Sequence, residues 1–244
     1  MASDIPKQFM LLAGRPVLMH TIEAFRRAVP DAKVTVVLPE DLFGIWKELC
    51  REHAFHEEHL VAAGGATRFE SVRKGLETLD RRQKTEDVRR KTEDVRQKTE
   101  DVRQRTEDGG QRTEEEGLVA VHDGVRPLIR EETILRLFGE AALYGSAVPV
   151  VTSADSLRWQ EGDKSRVIDR NFVKIIQTPQ VFLLNKLREA YVNPYEEGFT
   201  DDATVWERGG NEVHLCEGQR DNIKITTRED LGVAEGVMFK QDHR

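Results

Sequence analysis

The chain has no run of eighteen apolar residues and no charged-then-apolar leader. No membrane-spanning helix and no secretory signal are therefore expected, and the reading is a cytoplasmic protein. Cysteine is nearly absent. Cys50 and Cys216 are too few for a disulfide framework and lack metal-ligand spacing, so they read as structural thiols. A basic excess is missing too: the net charge is −7, which argues against a non-specific nucleic-acid binder. Neither GxxxxGK[ST] nor GxGxxG occurs, so a P-loop ATPase and a Rossmann dehydrogenase both lack their signatures. His53, His56 and His59 stand three apart, whereas a helical metal pair favours a spacing of four, so they read as solvated histidines.

What is present centres on Leu118 to Ile129, LVAVHDGVRPLI. A short apolar run that breaks into His122, Asp123 and Gly124 reads as a buried strand entering a loop. Ligands of open α/β sheets sit outside the carboxyl ends of the strands. There an aspartate can hold a hard cation and Arg126 can meet a phosphate, while a plain turn with a surface arginine stays open as the alternative.

The rest of the chain alternates helices and strands. Leu11–Arg15 with Pro16 is a turn. Helices are predicted over Val17–Ala28, Asp41–His53, Thr67–Asp80, Glu131–Tyr144, Asn185–Tyr191, Ala203–Arg208 and Thr227–Phe239. Strands are predicted over Lys33–Leu38, Leu60–Ala63, Ser146–Thr152 and Glu212–Cys216, with Lys174–Phe182 returning to the body and Asp221–Thr226 strand-like. Short connections between them predict a doubly wound, mostly parallel sheet in one domain over 1–244. Residues 152–175 read as a protruding two-stranded β-arm, too polar to be core. Gly64-Gly65 runs straight into a helix, where backbone N–H groups can bind an anion or a base edge, with Arg68 and Ser71 in the first turns.

Residues 81–116 are of another kind. A seven-residue repeat, KTEDVRQ and its variants, carries 11 Lys/Arg and 11 Asp/Glu in 36 residues. One valine per heptad is half of what a coiled coil requires. The segment reads as a solvated insertion, either an interaction arm or an expanded repeat without function.

Asp123 and Asp221 on different segments would suit a Mg²⁺ held by few protein ligands and completed by phosphate oxygens. Lys7, Arg126, Arg170 and Lys224 could balance phosphate charge, as phosphoryl or nucleotidyl transfer requires.

Seven ordered motifs carry a family resemblance: PKQF (6–9), GGATRFESV (64–72), HDGVRP (122–127), DRN (169–171), QTPQVF (177–182), TDDA (200–203) and EGQRDNIKIT (217–226). Together they resemble the 2-C-methyl-D-erythritol 4-phosphate cytidylyltransferase family, over nearly everything except 81–116. The resemblance implies a nucleotide-diphospho-sugar-transferase-like α/β fold and a homodimer through exchanged arms. It also implies a reaction of CTP with a polyol phosphate, with Mg²⁺, that releases pyrophosphate. Lys7 would sit on the CTP phosphates and Lys224 near the attacked phosphorus. Gly64, Gly65, Ala66, Arg68 and Ser71 would surround the cytosine. Asp123 and Asp221 would hold Mg²⁺, Asp123 beside CTP, and Arg126 would support the loop. Ser156, Arg170 and Thr178 would bind the methylerythritol phosphate, Arg170 from the partner's arm. Ala66 stands where the family often has an acidic residue.

The family pattern opens with a strand and a loop A-A-G-x-G-x-R-M, and neither precedes PKQF here. The expectation is that Met1 corresponds to that loop's methionine in a truncated frame. Ribitol 5-phosphate cytidylyltransferase is the nearest rival activity, and an inactive scaffold that dimerises through its arm is the rival from another class.

Overall fold

A computed structural model describes residues 5–80 and 117–242. The heptad segment 81–116 lies outside the described residues, and with it the reading made of that segment.

Lys7–Phe9 forms one 3-10 turn. Strands β1 (Leu11–Leu12) and β2 (Arg15–Pro16) follow as a minimal hairpin, turned by Ala13 and Gly14 at φ +49° and +80°. Where a simple turn was expected, two backbone pairs close it. Helix α1 (Val17–Ala28) starts directly after Pro16, and it buries Val17, Leu18, Met19, Thr21, Ile22 and Ala24. Strand β3 (Thr35–Leu38) alternates half-buried and buried residues, and Pro39 ends it. The helix expected over 41–53 divides into a 3-10 turn, Glu40–Leu42, and α2 (Phe43–Glu52). Its Trp46 is buried, stacked on Phe9 at 5.8 Å and edge-on to Phe55 at 5.9 Å. Burying such side chains contributes about 1.5–3 kcal/mol each. Trp46 also donates from Nε1 to His59 Nε2 at 2.9 Å, so His59 serves this aromatic cluster.

Strand β4 (Leu60–Ala63) lies parallel to β3 in full register, Thr35 opposite Leu60 and Leu38 opposite Ala63. Helix α3 (Arg68–Asp80) packs back across this pair, with Gly75 close against Val37. Strand β5 (Leu118–Val121) leads to α4 (Glu131–Tyr144), which Gly145 ends in the left-handed conformation at φ +88°. Strand β6 (Ser146–Thr152) then enters the arm, a hairpin of β7 (Leu157–Glu161) and β8 (Lys164–Ile168). The chain returns through β9 (Lys174–Ile176) and, past the cis Thr178–Pro179 bond, β10 (Gln180–Leu183). Helices α5 (Leu184–Ala190) and α6 (Asp202–Arg208), strand β11 (Leu215–Glu217) and helix α7 (Arg228–Asp242) complete the body. Asp221–Thr226, read as strand-like, has no ladder partner among the described residues.

The α/β class holds, but the sheet is mixed. Its main part runs β11-β6-β10-β5, with β9 also on β6. Strands β5 and β6 are each antiparallel to β10, and β11 is parallel to β6. Thus β5, β6 and β11 point one way and β10 opposes them. That reversal follows from the arm: a hairpin excursion returns the chain antiparallel, whereas a helical crossover returns it parallel. Strands β3 and β4 form a separate pair. A cavity of about 570 Å³ separates them from β5, walled by Ile22 and Phe25 of α1 and by Val72 and Leu76 of α3.

Candidate active site

The strand ends set the site. Where β5 stops, the Asp123 backbone N–H donates to Thr178 Oγ1 at 3.0 Å, so the β5 exit is tied to the β9–β10 junction. Gly124 keeps the loop close to α1: its carbonyl accepts from Thr21 Oγ1 at 3.1 Å, and a Cβ there would meet Leu18 at 3.0 Å. The Asp123 carboxylate is flanked by two cations. Arg126 Nε reaches its Oδ2 at 3.1 Å and Lys224 Nζ reaches the same oxygen at 3.2 Å. Burial alone would raise this carboxyl, but Lys224 and Arg126 outweigh it and hold it below its ordinary value. Both contacts fall on one oxygen, so the other can face a ligand.

The two cations differ in reach. Arg126 is 12% exposed and is bracketed between Asp123 and the Asn222 carbonyl, to which it donates at 2.8 Å. Its geometry is that of a loop support. Lys224 is 48% exposed and remains able to swing toward a ligand. Beside them, burial lowers His122 to about 4, so this ring is neutral near pH 7.

At the entry to α3 the loop donors are already engaged. Gly65 N–H donates to Ser71 Oγ at 3.0 Å and Ala66 N–H to Glu70 Oε2 at 2.7 Å. Glu70 N–H in turn donates to Thr67 Oγ1 at 3.1 Å, a reciprocal cap of the helix start. A Cβ on Gly65 would lie 2.2 Å from Glu70 Cβ, so this approach requires glycine. A base docking on these N–H groups must exchange with Ser71 and Glu70. Arg68 is held in an ion pair: both its terminal nitrogens donate to Asp202, a fully buried carboxylate that also accepts from Tyr191 at 2.6 Å. Arg68, Ser71, His122 and Asp123 line the cavity at the carboxyl ends of β3 and β5.

The other residues singled out by sequence are more scattered. Asp221 is paired with Arg130 through Oδ2. Thr178 is buried and takes part through Asp123. Lys7 is exposed, with no ion-pair partner among the described residues. Ser156 and Arg170 sit on the arm, where Arg170 donates to the Ala154 carbonyl. Four buried polar residues went unnoticed in the sequence as site residues: Gln177, Gln219, Asn222 and Asp202. Their signal was a polar side chain inside a motif flanked by apolar runs, which periodicity alone does not flag.

Among the described residues no three His, Cys, Asp or Glu side chains gather as a metal cage. A Mg²⁺ that takes most of its ligands from phosphate and water does not need one. Asp123 and Asp221 each show their cation contacts on Oδ2 alone, and a carboxylate with one oxygen left suits that donor set.

The family model described as 2-C-methyl-D-erythritol 4-phosphate cytidylyltransferase matches residues 1–89 and 98–240, and the gap falls within the heptad repeat. A relative of that name from Bacteroides thetaiotaomicron is 40% identical over 238 residues, covering 98% of this chain and 93% of its own. One from Porphyromonas gingivalis is 43% identical over 236 residues, covering 96% and 90%. The crystal structure of the enzyme so named from Thermus thermophilus is 29% identical and superposes with a TM-score of 0.66 over 95% of this chain and 93% of its own.

Proposed function

The chain belongs to the 2-C-methyl-D-erythritol 4-phosphate cytidylyltransferase family, and we propose that its site joins CTP to 2-C-methyl-D-erythritol 4-phosphate. The observation that carries this reading is the Lys224–Asp123–Arg126 cluster at the end of β5, tied to Thr178. A phosphate oxygen of the polyol phosphate attacks the α-phosphorus of CTP. The bond from that phosphorus to the β-phosphate bridging oxygen breaks, and pyrophosphate leaves. Charge on the phosphoryl oxygens grows on the way, so a cation placed there lowers the barrier. Lys224 is the mobile cation for that task, and the half-buried Asp123 keeps it near. Arg126 holds Asp123 and the Asn222 backbone in place. Lys7 reaches the nucleotide phosphates from its exposed turn.

Asp123 and Asp221 would hold Mg²⁺, which supplies charge neutralisation on the triphosphate. Ser71 and the Gly64–Ala66 backbone would receive the cytosine, and Ser156, Arg170 and Thr178 the polyol phosphate. The arm supports a homodimer: Trp159 on one face of the hairpin, Val167 on the other and Phe172 beyond it are 53%, 71% and 86% exposed, apolar surface on an otherwise polar arm that a second copy could cover. No helix among the described residues is long and apolar enough to cross a membrane, and phosphorylated small-molecule substrates are in keeping with a cytoplasmic place.

Pyrophosphate release from CTP, measured with 2-C-methyl-D-erythritol 4-phosphate and separately with ribitol 5-phosphate, tests the reading. Release dependent on the methylerythritol substrate is expected. Preference for ribitol 5-phosphate would transfer the chain to that activity, and release with neither would leave a scaffold.

A further inference from the structure

Three loops meet behind the charged cluster, and three buried amides bolt them together. Gln177 sits just before Thr178 and is 6% exposed. Its Nε2 donates to the Gln219 carbonyl at 2.9 Å, and its Oε1 accepts from the Gln219 backbone N–H at 3.0 Å. This two-point pairing imitates one rung of a β-ladder using a side chain. It needs the bare backbone of Gly218, where a Cβ would lie 2.5 Å from Gln177 Oε1.

Gln219, also 6% exposed, faces the other way. Its Nε2 donates to the Leu128 carbonyl at 2.7 Å. Its Oε1 accepts from Arg130 N–H at 2.9 Å and from Thr133 Oγ1 at 3.2 Å. One amide thus reads the β5–α4 loop and the first turn of α4. Asn222, 1% exposed, completes the set: its side-chain Nδ2 donates to the Thr178 carbonyl at 2.8 Å, and its backbone carbonyl accepts from Arg126 at 2.8 Å. Every loop so joined carries a member of the charged cluster or its support, whether Asp123 and Arg126, Thr178, or Asp221 and Lys224.

We infer that Gln219 and Gln177 are positioning residues, which set the separation of Lys224 from Asp123 by locking the 218–224 loop to the 123–130 and 177–178 loops. Neither touches a reacting group, and both act through backbone held in register. A buried amide costs free energy unless its partners are all supplied, and here every polar atom of both side chains is engaged. Apolar residues of the same volume would pack as well without a lock, so the hydrogen bonds point to a demand for geometry. The inference deepens the proposed transfer reaction and rests on that reading for its kinetic part only.

The test compares Gln219→Met, Gln219→Glu and Gln177→Met with the unsubstituted protein. Gln219→Glu keeps an acceptor for Arg130 and Thr133 but sets a second carboxylate oxygen against the Leu128 carbonyl where the donor stood, so its effect should be at least as large as that of Gln219→Met. Misplacement near the chemistry is expected to lower kcat on the order of tenfold to a hundredfold, with KM for CTP changed far less. Amide hydrogen exchange supplies a readout that does not depend on turnover. Gln219→Met should speed exchange at 123–130, 177–178 and 220–225 together, while α6 keeps its protection. Should Gln219→Met fold poorly, Gln177→Met, which spares the Gln219 bonds to Leu128, Arg130 and Thr133, should speed exchange at 177–178 and 220–225 together. Faster exchange confined to 217–221, or KM rising with kcat unchanged, would overturn the inference. Absence of turnover in the unsubstituted protein would count against the transfer reading alone, and the exchange pattern would still decide the lock.

Discussion

Consider removing either partner of the Arg68–Asp202 pair. Asp202 is 0% exposed, and the cation it meets, Arg68, is 36% exposed. The two truncations therefore differ. Arg68→Ala strands a buried carboxylate with Tyr191 as its remaining hydrogen-bond donor in this pair, and an uncompensated buried charge costs about 3–5 kcal/mol. Asp202→Asn strands a cation that can turn to water and keeps an acceptor for Tyr191, so about 1–2 kcal/mol is expected. The double variant should recover part of the larger loss, with a coupling of about 1–3 kcal/mol. Urea unfolding followed by tryptophan fluorescence measures all four corners, because Trp206 lies on α6 beside the pair. Equal costs for the two single variants, or strict additivity in the double, would refute this account.

Other outcomes follow from the same geometry. Asp123→Asn and Asp221→Asn should each abolish Mg²⁺-dependent pyrophosphate release, and unchanged rates in either would remove that carboxylate from the set of required ligands. Phe172→Glu places charge on the exposed foot of the arm and should shift a dimer toward monomer in sedimentation equilibrium; an unaltered dimer would place the interface elsewhere. His122, held near 4 by burial against an ordinary 6.5, stabilises the fold fully above pH 6.5. That share is lost as pH falls toward 4, about 1–2 kcal/mol after discount for partial solvent contact. Comparison with His122→Asn between pH 7 and 4.5 should show a steeper loss in the parent.

Much of this was legible from residue order, for stated reasons. The strand–loop break at His122-Asp123-Gly124 was legible because an apolar run ends there in Asp-Gly, although the same break also fits a plain turn with a surface arginine. Helix α1 showed itself through its 3.6-residue period, and its observed bounds match the reading. Direction within the sheet was harder to read. Whether β10 runs with or against β6 depends on how the arm folds back, and Lys174–Phe182 carries no local mark of that turn beyond Pro179. Partners of charged residues were least legible. Arg68 and Asp202 are 134 positions apart in the chain, and Asp221 meets Arg130 at a distance of 91. Spacing arguments see neighbours along an element, and these pairs exist only once the elements are stacked.

The divided sheet leads to the last expectation. Strand β3 pairs only with β4, and β5 only with β10, among the described residues. Their opposite edges face the 570 Å³ cavity. Leu18 packs with Val36 and Leu38 and also sits 3.0 Å from the Gly124 Cβ position, so the carboxyl ends of both strands lie at the same end of the cavity. Thr35, one of the residues that line it, has a buried Oγ1 with no hydrogen bond among the described residues. Backbone edges left in this way are templates for pairing, and the apolar walls between them favour any segment that covers them. The described residues should therefore show fast amide exchange at the cavity-facing edges of β3 and β5, together with concentration-dependent self-association. Slow exchange at both edges in dilute solution, with no association up to high concentration, would mean that the two edges are already satisfied and that the sheet is continuous.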